Sequence, residues 1–202
     1  MKYHLIHLMP RENRNFCFID DEPEGIGIKS YKLGKGLPLG SDYPPNARVF
    51  MTDRHKGIQV SDLIENACNL LIISKRVKEV IERVNKAPTE YLPLSIYNHK
   101  KRAASTDYFI INPLGTFDCL NLETSDIVYH NDKVVDVRNL VLDPQKLENA
   151  PHLFRVQEDS YTYIISEQLR QELRTLDPLP TNFFITELEQ VPSHTRPTSS
   201  TV

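Results

Sequence analysis

The chain lacks tryptophan and has only seven glycines and three cysteines in 202 residues. Cys17, Cys68 and Cys119 are odd in number and form no CxxC pair, so the sequence predicts neither a disulfide framework nor a cysteine zinc site. No run of about 18 apolar residues occurs, which is the length that a membrane-spanning helix needs. The apolar stretch Leu5–Met9 is too short for the core of a signal peptide. We therefore expect a cytoplasmic protein that makes no contact with a membrane.

An excess of positive charge is also missing. The chain contains 24 Lys and Arg against 27 Asp and Glu, a formal net charge of −3. Nucleic-acid binding is not expected, because no global basic field is present to hold a polyanion. The charge is unevenly distributed, since residues 103–190 carry 6 basic and 15 acidic side chains. This acidic part is either a solubilising surface or a docking surface for a basic partner.

The apolar patterns predict an α+β fold, with antiparallel sheets and hairpins on which two related strand–helix–strand units pack. Lys2–Met9 and Asn15–Ile19 are expected to form an antiparallel pair around the polar turn Pro10–Arg14. Residues 25–48 show no sustained period and are predicted to form an extended, partly irregular connection. Ser61-Asp62 is expected to cap one or two helical turns that reach Ala67.

The clearest pattern is a strand–serine–helix–strand unit that occurs twice, 92 residues apart. Leu71–Ser74 and Tyr163–Ser166 are predicted strands that end in serine, and each precedes apolar residues spaced by three and four positions. This spacing predicts an amphipathic helix. Pro88-Thr89 and Pro180-Thr181 follow the two helices, before the second strand of each unit. Each serine is expected to accept a hydrogen bond from an N–H of the first helical turn.

Short apolar runs between and beside the two copies predict a meander. Asp126–His130 and Val134–Arg138 are expected to form a hairpin around Asn131-Asp132, because Asn and Asp tolerate the positive φ of a tight turn. Leu153–Gln157 is expected to pair with Tyr161–Ile165. Further strand candidates are Val49–Met51, Tyr91–Tyr97, Tyr108–Ile111 and Thr116–Leu122.

We expect a single domain over residues 1–190, with an N-terminal part at 1–100 and an acidic C-terminal part at 101–190. Residues 191–202 are rich in Ser, Thr and Pro and are predicted to form a disordered tail.

No pattern typical of a catalytic or metal-binding site is found. His4 and His7 are the closest histidine pair, and on a strand they are expected to project to opposite faces. Cys119 is interpreted as a core thiol, since cysteine is among the most buried residue types. We expect no enzyme activity, no cofactor, no metal and no small-molecule substrate. The alternatives left open are a non-catalytic adaptor or structural subunit, and an enzyme or ligand binder with a pocket in Gly25–Asn46.

Nine short segments occur in an order similar to that of a known family. They are Pro38–Gly40, Ile72–Val77, Tyr91–Leu94, Tyr108–Leu114, Asp118–Leu122, Ser125–Ile127, Leu140–Asp143, His152–Arg155 and Ile164–Leu169. The ordered set resembles family eleven of the bacterial polymorphic-toxin immunity proteins, formerly a domain of unknown function, over roughly residues 1–190.

The resemblance implies a small cytoplasmic α+β protein, encoded beside a toxin that is often a nuclease, which it binds and neutralises. It brings no catalytic residues, and Ser74, Asn112-Pro113 and Ser166 carry over only as fold markers.

An acidic protein surface can compete for the basic cleft that a nuclease presents to phosphate groups. We therefore place the contact with the cognate toxin on the hairpin around Asn131-Asp132 and on the turn at Glu158-Asp159, with a tyrosine as aromatic anchor. The candidate toxin-binding residues are Asp126, Tyr129, Asp132, Asp136, Glu158, Asp159 and Tyr161.

Overall fold

Strands dominate the architecture in the part of the chain described by the computed structural model, residues 1–9 and 13–193. Within these residues, three α-helices accompany them, with two 3-10 helices at Gly27–Ser30 and Gly40–Asp42. The elements are β1 Tyr3–Ile6, β2 Phe18–Ile19, α1 Tyr31–Gly34, β3 Arg48–Phe50, β4 Leu63–Asn66, β5 Leu71–Ser74, α2 Lys75–Val84, β6 Thr89–Tyr97, β7 Ala103–Pro113, β8 Asp126–His130, β9 Lys133–Asn139, β10 Val141–Leu142, β11 Leu153–Arg155, β12 Tyr163–Ser166, α3 Glu167–Leu173, β13 Ile185–Glu187 and β14 Glu189–Gln190. The α+β class is confirmed.

Two sheets form the body of the molecule. A six-stranded sheet has the order β2-β4-β5-β7-β6-β3, and a four-stranded sheet has the order β11-β12-β1-β13. The apolar faces of α2 and α3 share one buried cluster with residues of both sheets. Separate clusters lie on the other face of each sheet. The core therefore has three parts, and the central one joins the two sheets through the helices.

The predicted repeat is present, and its topology extends beyond the sequence pattern. Each copy contains a hairpin (β4-β5 or β11-β12), a helix, and a strand that returns parallel to the strand before the helix. An antiparallel strand fills the gap in each sheet: β7 in the first copy and β1 in the second. Short parallel pairs, β3 with β6 and β10 with β14, also correspond. We call these two copies the first and the second unit.

The expected pairing of Lys2–Met9 with Asn15–Ile19 is wrong. β1 lies between β12 and β13 in the four-stranded sheet, whereas β2 pairs in parallel with β4 in the other sheet. Tyr3, His4 and Ile6 are all buried, so burial of β1 between two strands overrides the local turn signal. Pro10–Glu12 of the predicted turn lie outside the described residues.

The expected helical turns after Ser61-Asp62 are wrong as well. Residues 63–66 form β4, and all four of their side chains are buried, a level of burial that a short surface helix does not provide. Asp62 instead accepts hydrogen bonds from Ser74 Oγ at 2.6 Å, from the Arg76 guanidinium at 2.6 and 2.8 Å, and from the Thr181 N–H at 2.8 Å. It therefore ties α2 to the segment that follows α3.

The expected serine caps are confirmed in the second unit only. Ser166 Oγ accepts from the Leu169 N–H at 3.2 Å. Ser74 makes no such cap, and its hydroxyl donates to Asp62 instead. The equivalent serines of the two units therefore have different roles.

Some of the other expectations are confirmed, and others are wrong or lie outside the described residues. The hairpin at 126–139 and the pairing of β11 with β12 are confirmed, and Cys17 and Cys119 are buried. Thr116–Leu122 is not a strand and contributes only isolated bridges at Phe117 and Leu120. At the start of the predicted tail, the Val191 N–H donates to Leu142 O at 2.9 Å, and residues 194–202 lie outside the described residues.

Replacing Asp62 by Asn is expected to destabilise the fold in a pH-dependent way. Burial alone would raise the pKa of this carboxyl, but hydrogen bonds from Arg76, Ser74 and Thr181 outweigh it and lower the pKa to about 2. The carboxylate therefore stabilises the fold above about pH 4, by about 2 kcal/mol, and loses this effect as the pH falls toward 2. Denaturant unfolding of both proteins should show the difference at neutral pH and its disappearance at low pH. A difference that does not change with pH would contradict this role.

Candidate functional site

Residues 126–139 form a β-ribbon that stands apart from the two sheets. Within the described part of the chain, β8 and β9 pair only with each other. Their turn holds Asn131 and Asp132 at φ values of 49° and 59°, the conformation that Asn and Asp tolerate best among non-glycine residues. Ile127 and Val137 pack on the core cluster beside the four-stranded sheet. The β8–β9 ribbon is therefore anchored on one face, while none of the other described strands pairs with its edges.

The acidic side chains of the ribbon and its tyrosine lie on opposite faces. Val128 is opposite Asp136 in the register and two residues after Asp126, so these three share one face. Tyr129, the next residue, projects to the other face, and Asp132 lies in the turn. All four predicted contact residues of the ribbon are exposed. The structure therefore brings Asp126 and Asp136 together but separates Tyr129 from them.

The charge of the ribbon is modest. Asp126 and Asp132 form no ion pair with any described residue, and Asp136 lies 3.4 Å from the Arg138 guanidinium in an exposed pair. Exposed pairs of this kind contribute little stability. With Lys133 and Arg138 included, residues 126–139 carry three acidic and two basic side chains. The ribbon is thus acidic only on the face that carries Asp126 and Asp136 and at the turn that holds Asp132.

Glu158 is placed unfavourably for a carboxylate. It is half-buried, and its Oε2 atom has no hydrogen-bond partner among the described residues. Burial raises the pKa of Glu158, and the nearby Asp118 carboxylate raises it further. Lys146 acts in the opposite direction, but its ammonium already pairs with Asp118 at 2.6 Å.

Asp159 and Tyr161 are held in a tight turn that lies against Gly34. Asp159 accepts hydrogen bonds from the Tyr161 N–H at 3.1 Å and from the Thr162 hydroxyl. The Tyr161 ring lies against Gly34, where a Cβ would come within 2.3 Å of the tyrosine oxygen. Asp159 and Tyr161 also line an open depression of about 440 Å³ together with the end of β1. The seven predicted residues therefore occupy three places: the ribbon, Glu158, and the Asp159–Tyr161 turn.

One apolar surface was missed by sequence reasoning. A groove of about 290 Å³ lies between α3 and β13, and we call it the α3–β13 groove. Its lining is Arg170, Leu173, Arg174, Leu179, Pro180, Phe183, Phe184 and Ile185. Leu179 is 60% exposed and Phe184 is 46% exposed. A position-by-position comparison of the two units, which are 92 residues apart, could have found this surface. In the second unit Leu179 takes the position of Ala87, and Arg174 takes the position of Glu82.

The described residues show no metal centre. In residues 1–9 and 13–193, no three His, Cys, Asp or Glu side chains come together in a way that could hold a metal ion. His4 is buried and its imidazole contacts Glu167, whereas His7 is exposed and lies 2.7 Å from Thr186 Oγ1. No helix in this part of the chain is long and apolar enough to cross a membrane.

A family model described as "Immunity protein family (Imm11)" matches residues 10–188. The chain belongs to the Imm11 family. Its membership indicates a role in toxin immunity and a toxin as binding partner. Proteins of the Imm11 family are typically non-catalytic. No curated protein shows significant similarity to the chain.

Replacing Glu158 by Gln is expected to stabilise this Imm11 protein at neutral pH. Because the pKa of Glu158 is raised in the folded state, the ionised carboxylate destabilises the fold once the pH exceeds the ordinary glutamate value. The variant should therefore melt at a higher temperature than the wild type at pH 7, and the two should converge below about pH 4. Asp126→Asn, at an exposed position, is the matched control and should change little. A Glu158→Gln variant that is less stable at pH 7 would contradict this account.

Proposed function

We propose that this protein confers immunity by binding a cognate bacterial toxin directly and blocking its activity, and that the toxin is a secreted nuclease. Membership of the Imm11 family carries the proposal. The acidic C-terminal part supports a nuclease as target, because a nuclease must present basic groups to phosphate. Opposite charges also accelerate the association of two proteins, which suits an inhibitor that must capture an incoming toxin.

The β8–β9 ribbon is the surface we assign to this contact. In the first unit, the corresponding connection between β2 and β3 folds back on the body, where Ile26, Leu33 and Leu39 enter the core. In the second unit, the connection to β10 forms the ribbon, which exposes Tyr129 and Val135 by more than half. Exposed apolar side chains are typical anchors of an interface, and the carboxylates on the opposite face of the ribbon and in its turn can add charged contacts. The proposed contact residues are Asp126, Tyr129, Asp132, Asp136, Glu158, Asp159 and Tyr161.

Glu158 adds an energetic argument for this side of the molecule. A half-buried carboxylate without a hydrogen-bond partner on Oε2 costs stability. Such a cost is offset when a basic group of a partner pairs with the carboxylate in the complex. Glu158 is therefore proposed to receive a Lys or Arg of the toxin.

The alternatives receive less support. Segment 25–46, where a ligand pocket was considered, supplies core side chains, and the Glu90 carboxylate accepts from the N–H groups of Leu39 and Gly40 at 3.0 Å. This packing favours a structural role for the segment. An adaptor would bind the toxin without neutralising it, and the next experiment measures this difference.

Immunity is tested by expressing the toxin encoded in the adjacent reading frame in a susceptible bacterium, with and without this protein. We expect growth to be restored by co-expression, and the two purified proteins to form a stable complex. An adaptor would form the complex without restoring growth. Absence of both effects, with the toxin shown to be active, would contradict the proposed function.

The ribbon is tested by the triple variant Asp126→Lys, Asp132→Lys, Asp136→Lys. It is expected to weaken toxin binding by about a hundredfold, because three attractive charges become repulsive. The melting temperature should fall only slightly: all three residues are exposed, but Asp132 adopts a positive φ that lysine tolerates less well. The matched control reverses three exposed acids elsewhere, Asp21, Glu79 and Asp107, and changes the net charge equally. Titration calorimetry with an inactive toxin measures both. Equal affinities of the two variants would show that net charge, and not the ribbon, carries the effect.

A further inference from the structure

The α3–β13 groove is open in the second unit, whereas a lysine covers the corresponding surface in the first unit. At the position that corresponds to Arg170, the first unit has Lys78, whose ammonium lies 5.0 Å from the ring centroid of Tyr91 and 5.4 Å from that of Phe109. Lys78 thus covers the aromatic surface beside α2. Arg170 instead pairs with Glu167 at 3.0 Å, at the start of α3, and does not take up this role. The open groove is therefore not a requirement of the fold.

Two of the side chains that border the groove are also larger and more exposed than their counterparts. Leu179 is 60% exposed and replaces Ala87, and Phe184 is 46% exposed and replaces Leu92, which is 8% exposed. Exposed apolar side chains that adjoin a groove are typical of an interaction surface.

The outer edge of β13 borders the groove and carries backbone groups that pair with no other strand in the described part of the chain. Phe184 O accepts from the His7 N–H, and the Leu188 N–H donates to Tyr3 O, so alternation directs the N–H and C=O of Ile185 away from β1. β13 is the last strand of its sheet in the described part of the chain. The first unit has Pro93 at this position, which lacks an N–H and whose carbonyl accepts from the Tyr43 hydroxyl at 2.8 Å.

The charge at the groove is positive. Arg174 is exposed and forms no ion pair with a described residue, and the first unit has Glu82 in its place. This positive charge lies within the acidic C-terminal part of the chain. An occupant that carries a carboxylate would therefore find a complementary group here and few elsewhere on this unit.

We propose that the α3–β13 groove binds an extended apolar segment of the cognate toxin, with a carboxylate of that segment paired to Arg174 and its backbone paired to Ile185. The proposal rests on the proposed function and adds a second contact surface. Ile164 faces the cluster on which the ribbon packs, whereas Ile165 faces the cluster of α3. The ribbon and the α3–β13 groove therefore lie on opposite faces of the four-stranded sheet, and the toxin would contact both faces.

Two other occupants fit the charges less well. A second copy of this chain, docked groove to groove, would bring two positively charged surfaces together. Residues 194–202 contain an arginine, no Asp or Glu, and a single aliphatic side chain, Val202, so they offer neither an acidic side chain nor an apolar run.

The test is the double variant Arg174→Glu, Leu179→Ser in the full chain. Its affinity for an inactive form of the toxin encoded in the adjacent reading frame is measured by titration calorimetry. The expected loss is about tenfold or more, with an unchanged melting temperature. The matched control, Arg102→Glu with Ile58→Ser, changes an exposed arginine and an apolar residue that is 61% exposed and should bind as the wild type does.

Wild-type affinity in the double variant would overturn the groove assignment while leaving the proposed function intact. Failure of the wild-type protein itself to bind the toxin would overturn both. A concentration-dependent dimer of the wild type that the double variant abolishes would identify a second copy as the occupant and overturn the toxin assignment. Tighter toxin binding after deletion of residues 194–202, with no such gain in the double variant, would identify those residues as a competing occupant and support the groove as the binding site.

Discussion

The structure depends on the packing of α2 and α3 into one core that both sheets share. Val77, Val80 and Ile81 of α2 are buried there with Leu169 and Leu173 of α3, and full burial of each such side chain contributes about 2 kcal/mol. The connections are reciprocal: the Leu63 N–H donates to Thr181 O, beyond α3, and the Leu153 N–H donates to Asn85 Oδ1, beyond α2. Each unit therefore completes the core that lies between the two sheets, in addition to the cluster that each has on the other face of its own sheet.

This arrangement explains which parts of the fold could be predicted from the sequence. The helices and the strands that precede them follow from local periodicity and from the serine and proline positions, and they are present. The partners of β1 and β2 could not be predicted, because they are set by burial between distant strands. The same holds for β4, where the polar pair Ser61-Asp62 suggests a helix start but Asp62 is needed as a hydrogen-bond acceptor for Ser74, Arg76 and Thr181.

The candidate site was predictable to a similar degree. Asn131-Asp132 predicted the turn of the ribbon, and the acidic composition pointed to the C-terminal part of the chain, in which the ribbon lies. The face of Tyr129, the burial of Glu158 and the hydrogen bonds that hold Asp159 depend on tertiary contacts and have no local signal. The α3–β13 groove was within reach, because the replacement of Ala87 and Glu82 by Leu179 and Arg174 is visible when the two units are compared position by position.

The central claim is that this Imm11 protein binds its toxin directly through the second unit. Hydrogen–deuterium exchange of the protein alone and in the presence of the toxin tests it most directly, since amides that become buried or paired in the complex exchange more slowly. We expect protection at residues 126–139 and 158–161, with further protection at 183–187. Protection confined to the first unit, or no change in exchange while the toxin is nevertheless neutralised in cells, would contradict the account.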